Sequence, residues 1–113
     1  MEQISLIFES ELNDKYYECI KNGSKKYECR LNDEKRRRIN VGDIWIFNKT
    51  LKVKVVEKKI YQNFEDAVLN TSLSELLPDI TTKLEAIQIY HRFEGYKTGA
   101  SKYGVVVFKI ELC

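Results

Sequence analysis

Histidine occurs once in the 113 residues, at His91, proline once, at Pro78, and glycine five times. So few chain breakers leave no room for a flexible linker or a low-complexity segment. The three cysteines, Cys19, Cys29 and Cys113, form no C-x-x-C pair. A structural zinc site needs four clustered ligands, which these scattered residues and one histidine do not offer, so no metal and no cofactor are expected. An odd, sparse set of cysteines suits a reducing interior and predicts free thiols. A Cys–His nucleophilic pair has no supporting motif. No apolar run exceeds four or five residues, far short of the roughly 20 that a spanning helix needs. The N-terminal stretch MEQISLIFESELND carries acids where a signal peptide needs bases. These absences predict a cytoplasmic domain with no membrane segment. Apolar residues make up 43% and charged residues 32%, enough to bury a core without disulfides. One domain over residues 1–113 is the expectation.

The net charge of +2 predicts no partner, but its distribution does. Residues 25–59 hold 12 bases and five acids, whereas the remainder holds seven bases and 12 acids. A segment so basic, presented on one face, is a candidate for phosphate backbones. Lys52, Lys54, Lys58 and Lys59 equally suit the solvated side of a strand. Lys35-Arg36-Arg37-Arg38 is denser, and arginines in a short loop favour bidentate phosphate contact.

Ser5–Phe8 reads as a short opening strand. Leu12, Tyr16, Cys19 and Ile20 then recur at helical spacing, and Asn22-Gly23 ends that helix with glycine at the left-handed position. Tyr27, Cys29 and Leu31 alternate with charged residues, a half-buried strand. Asn32–Asn40 reads as a charged loop, and Ile44–Phe47 as a strand covered on both sides. Asn48-Lys49-Thr50 makes a hairpin turn into a strand from Leu51 that extends toward Tyr61. Asn63 caps a helix bearing Phe64, Ala67 and Val68. Ser72-x-x-Glu75 and Thr82-x-x-Glu85 predict capping boxes on either side of Pro78. Ala86, Ile89, Tyr90 and Phe93 form the apolar stripe of the longer helix, with His91 off it and solvated. A glycine-containing loop, Gly95–Lys102, leads to a closing strand, Tyr103–Leu112, whose apolar centre needs partners on both edges. Hairpins without βαβ alternation predict an α+β fold: a small, mostly antiparallel β-barrel with three to four helices packed on it.

The sharpest local feature is Gly23-Ser24-Lys25-Lys26-Tyr27-Glu28-Cys29-Arg30, or G-x-K-x-x-E-x-R. Glycine permits the turn from helix to strand. Glu28 and Arg30, two apart on a strand, project from one face, and Lys25 at the turn can join them. Such a cluster can read a base edge or hold a phosphate. On spacing alone, a surface strand with cross-strand ion pairs explains it as well.

This motif resembles the signature of the ASCH domain family, a branch of the PUA-like superfamily. Gly23, Lys25, Glu28 and Arg30 match it position by position. Arg30–Phe47, Leu51–Val56, Leu76-Leu77-Pro78, Lys102–Val106 and Ile110–Leu112 are also similar to small stand-alone archaeal and bacterial ASCH proteins. The resemblance implies a PUA-like barrel with a motif-lined cleft that accepts RNA or a nucleotide. Gly23, Lys25, Glu28 and Arg30 would then contact the ligand, with Lys35, Arg36, Arg37 and Arg38 on phosphates and Tyr103 as the stacking aromatic. Trp45 and Tyr27, with apolar neighbours, are expected in the core. The resemblance also implies an alternative, an amidohydrolase that deacylates acetylcytidine with a lysine, a threonine and a glutamate. Lys25 falls on that lysine, Glu28 stands at the threonine position, and Asp79 lies nearest the glutamate region. Catalysis would then rest on Lys25 or Glu28 as base. A protein-interaction module using the acidic helical half is a third reading.

Overall fold

The computed structural model describes residues 4–113, so the first three residues of the predicted 1–113 domain lie outside it. The chain runs β1 (Ile7–Ser10), α1 (Asp14–Lys21), β2 (Tyr27–Leu31), α2 (Glu34–Arg37), β3 (Ile44–Phe47) and β4 (Leu51–Tyr61). It continues through α3 (Phe64–Leu69), α4 (Leu73–Leu76), α5 (Lys83–Arg92), α6 (Tyr96–Tyr103) and β5 (Val105–Leu112). The five strands form one sheet in the order β1-β3-β4-β5-β2, antiparallel except for the β1–β3 pair. β5 is interior, between β4 and β2, so its apolar run gains a partner on each edge, as required, by position and not by closure. The sheet curls into a half-barrel. That curl brings Glu11, just past edge strand β1, within hydrogen-bond reach of Arg30 on the opposite edge strand β2.

Side-chain alternation sorts the sheet residues into two cores. Val106, Phe108 and Ile110 join Trp45, Phe47, Val53 and Val55 inside the curl. Val105 and Val107 face the other way with Cys29, under α3, α5 and α6. Trp45 is fully buried, and its indole N–H donates to Ser10 Oγ at 3.0 Å. Ile44 and Ile46 are half-exposed, so β3 is buried on one face only. Asp43 locks its entry: Oδ1 accepts from Leu6 N at 3.0 Å and Oδ2 from Asn40 N at 2.8 Å. Asp43→Ala strands two backbone donors, so we expect a loss of about 2–3 kcal/mol, read as a lower denaturant midpoint at unchanged slope.

Two expected loops are helical, giving six helical segments among the described residues. Asp33 caps the first of them, α2, accepting from Arg36 N at 3.1 Å, and the four residues behind it all tolerate a helical turn. The second, α6, contains Gly99, where a Cβ would sit 2.6 Å from Leu31 Cδ1. This glycine permits close packing of α6 on β2 and is no sign of a loop. Gly104, at φ 76°, ends α6. Asn63 and Thr82 cap α3 and α5 as the spacing predicts, whereas Ser72 makes no capping bond at α4. Glu75 instead pairs with Lys26 at 3.4 Å. His91 is half-buried and faces Glu65 at 3.2 Å, joining α5 to α3.

Candidate functional site

Lys25 follows the turn at Gly23, where φ is 87°, and enters β2 pointing inward. Its ammonium is buried, with the side chain 1% exposed. Nζ donates to Tyr27 O and Leu76 O at 2.5 Å each and lies 3.4 Å from Glu28 Oε1. The Tyr16 ring centroid lies 5.4 Å from Nζ. Glu28 Oε2 accepts from Arg30 Nε at 3.0 Å and Nη2 at 2.8 Å, and Nη2 also donates to Glu11 O at 3.0 Å. Arg30 lies over Trp45 at 5.8 Å. Glu28 and Arg30 share a face as their spacing predicts, but that face lines the inside of the curled sheet. The three groups are therefore a buried cluster of two cations and one anion.

Such a cluster is stable only because nearly every donor and acceptor is matched. Burial acts to raise the Glu28 carboxyl pKa, but Arg30 and Lys25 outweigh it and hold the group below the ordinary carboxylate range. Burial lowers the Lys25 pKa against the opposing pull of Glu28. The two carbonyls and the carboxylate around Nζ all require an N–H donor, so the ammonium is the form this site accommodates. Lys25 thus has no free lone pair with which to act as a base.

A pocket of about 190 Å³ opens beside the cluster. Lys25, Glu28 and Arg30 lie on its wall with Tyr16, Tyr90, Phe93 and Tyr96. The aromatic side is preorganised: Phe64 stacks on both Tyr90 and Tyr96, at 4.9 and 5.5 Å with near-parallel planes. Phe93, 47% exposed, is the most accessible ring of this wall. The sequence reading missed these aromatics. Tyr90 and Phe93 were legible only as a core stripe, and Tyr96 lay in the supposed loop.

The other predicted ligand residues fall outside this pocket. Gly23 lines a separate depression with Lys26, Glu75 and Lys109, of which Lys25 is the shared wall. Arg36 is paired with Asp33 at 2.8 Å and Arg37 donates to Asn32 O at 2.9 Å. Lys35 bonds Glu9 O at 2.7 Å and Arg38 pairs with Glu34 at 2.6 Å. Each base of the run thus has an internal partner. Tyr103 does not reach the ion cluster; it lines a shallow depression with Phe8, Lys35 and Arg38. The depressions nevertheless adjoin. Glu11 is common to the pocket and to a shallow hollow holding Lys35 and Lys49, and Lys35 is common to that hollow and the Tyr103 depression. The three hollows thus lie in a row, a broken furrow from the pocket past β1 to α2, in which Glu9, Asp33 and Glu34 stand among the bases.

Residues 11–113 match the ASCH domain family. The chain belongs to that family. A crystal structure of the hypothetical protein PH0355 is similar over 95% of this ASCH chain and 99% of its own, at 39% identity and a TM-score of 0.90. Protein PF0455 from Pyrococcus furiosus, solved in solution by NMR, is 38% identical over 94% of this chain and 96% of its own, with a TM-score of 0.79. The ASCH domain from Lactobacillus crispatus JV V101 shares the fold at 16% identity, covering 96% of this chain and 79% of its own with a TM-score of 0.61. No curated protein matches the chain. Within this ASCH domain the G-x-K-x-x-E-x-R residues divide by role: Gly23 sets the turn, and Lys25, Glu28 and Arg30 form the buried cluster.

Proposed function

We propose that this ASCH domain binds single-stranded RNA or a nucleotide, taking one base into the aromatic pocket while the furrow holds the flanking backbone. The observation that carries this reading is the ion cluster on the wall of an aromatic-sided pocket, flanked by a row of hollows that hold Lys49, Lys35, Arg38 and Tyr103 as well as Glu9, Asp33 and Glu34. A pocket of about 190 Å³ lies below the roughly 300–1,000 Å³ of sites for drug-sized ligands. It suits one ring system and excludes a duplex. Single-stranded RNA is read in this way, by splayed bases against aromatic rings and fixed polar groups. Lys35 and Arg38 are exposed and held by carbonyl and carboxylate partners that a phosphate can displace.

Titration of a labelled single-stranded RNA oligomer tests the reading. The logarithm of the affinity should fall linearly with log salt, at about 0.7 per neutralised phosphate. Lys35→Ala and Arg38→Ala should each weaken binding and shallow that slope by about one contact. A slope indistinguishable from zero would remove the furrow from the proposal. The binding reading fits better than hydrolysis because Lys25 has every donor committed and Glu28 is held by two cations.

A further inference from the structure

Tyr90 carries a feature that packing alone does not explain. The residue is 4% exposed, and its hydroxyl has no hydrogen-bond partner among the described residues. Its ring needs no hydroxyl, since the stack on Phe64 at 4.9 Å would serve a phenylalanine as well. A buried hydroxyl left unpaired is a standing penalty, and native structures rarely keep one without a partner. This hydroxyl belongs to a residue of the pocket lining, which Lys25, Glu28 and Arg30 share. Burial holds its pKa well above the ordinary phenol value, so it remains a neutral donor at physiological pH.

The wall also limits what can sit there. Glu28 presents a buried carboxylate to the pocket, and Glu11 lines its rim. Lys25 and Arg30 on the same wall balance these two acids, so the pocket offers no net positive charge to a phosphate, while flat aromatic sides favour a neutral planar ring. Arg30 is committed to Glu28 and to Glu11 O, and the Tyr96 hydroxyl lies within its reach. Of the buried side-chain atoms left without a partner among the described residues, the Tyr90 hydroxyl oxygen alone belongs to this wall, and a hydroxyl can donate to or accept from the edge of a neutral heterocycle. We propose that the Tyr90 hydroxyl is the specificity group of the pocket, hydrogen-bonding the edge of a neutral, nucleobase-sized ring whose phosphate stays outside. This assignment rests on the binding reading above and adds to it the group that reads the base and the exclusion of phosphate.

Binding of the four ribonucleosides and their 5′-monophosphates to wild type and Tyr90→Phe, followed by calorimetry or NMR shift titration, tests it. At least one nucleoside should bind wild type, and its monophosphate should bind no more than a few-fold tighter. Tyr90→Phe should weaken that nucleoside by about tenfold, as expected for one hydrogen bond to a group otherwise unpaired. Its melting temperature should match or exceed the wild-type value, because no internal bond is lost. Equal affinity of the two proteins for every nucleoside overturns the role of Tyr90 while leaving the binding reading intact. A lower melting temperature for Tyr90→Phe also overturns it, by showing that the hydroxyl is satisfied within the fold. Binding of monophosphates alone overturns the exclusion of phosphate. If neither nucleosides, nucleotides nor the RNA oligomer bind wild type, the binding reading falls together with this one.

Discussion

Glu28→Ala should destabilise the domain by about 3–5 kcal/mol, because it leaves two buried cations with no counter-charge. Lys25 and Arg30 meet only through this carboxylate, at 3.4 and 2.8 Å. Neither cation can turn out to water without breaking other bonds: Lys25 holds two carbonyls and Arg30 holds Glu11 O. Glu28→Gln keeps the shape and an acceptor but removes the charge, so an intermediate loss is expected. Equilibrium unfolding in urea measures both. The same group sets an acid limb. Its folded pKa lies below the ordinary value of 4.5 despite burial, owing to Arg30 and Lys25. Between the folded and unfolded values the unfolded chain binds the extra proton, so stability rises with pH there. The contribution is complete above about pH 4.5 and is lost as pH falls through the lower folded value. Glu28→Gln should flatten that limb. A variant with the wild-type acid profile would place the carboxylate outside the cluster.

Lys25→Met is the second large effect, again about 3–5 kcal/mol, from breaking a buried charged network. The thioether fills similar space but donates nothing, so Tyr27 O and Leu76 O each lose a buried donor. Lys25 is also a tie between distant parts of the chain, joining the start of β2 to the end of α4 across 51 positions. Glu28 keeps its Arg30 partner, which distinguishes this variant from Glu28→Ala. Thermal melting and amide hydrogen exchange on α4 should show it, with α4 protection falling first. Unchanged stability would mean that the ammonium is not held by these carbonyls. The same geometry predicts no release of cytidine from acetylcytidine by the wild-type protein. Turnover that Lys25→Met abolishes would restore the hydrolase reading.

Much of the fold was legible because local patterns and tertiary demands agree. α1, β2, the β3–β4 hairpin and β5 follow from apolar periodicity, and Asn48 and Lys49, at φ 51° and 66°, supply the tight turn. The errors have specific causes. Gly99 in α6 signals a loop by composition but serves a helix packed against Leu31. Ile44 and Ile46 suggested burial on both faces, yet β3 lies next to an edge strand and is covered on one side. Ser72 has the spacing of a capping box, but Glu75 is drawn away to Lys26. Strand alternation also marked Glu28 and Arg30 as facing away from Cys29, correctly, while leaving the polar side to be taken for the solvent side.

Sequence by itself determined the family, the order of the strands with α1, α3, α4 and α5, and the trio Lys25, Glu28 and Arg30, since each depends on neighbours within a few positions. Only the tertiary structure decided that the trio is buried, that Tyr16, Tyr90, Phe93 and Tyr96 stand with it, and that Tyr103 and the Lys35–Arg38 turn lie along the furrow instead. The physical reason is the curl of the sheet. It turns a charged strand face inward, while α1 and the α5–α6 segment supply the aromatic rings of the pocket beside it, and no local pattern of residues records which way a sheet will bend.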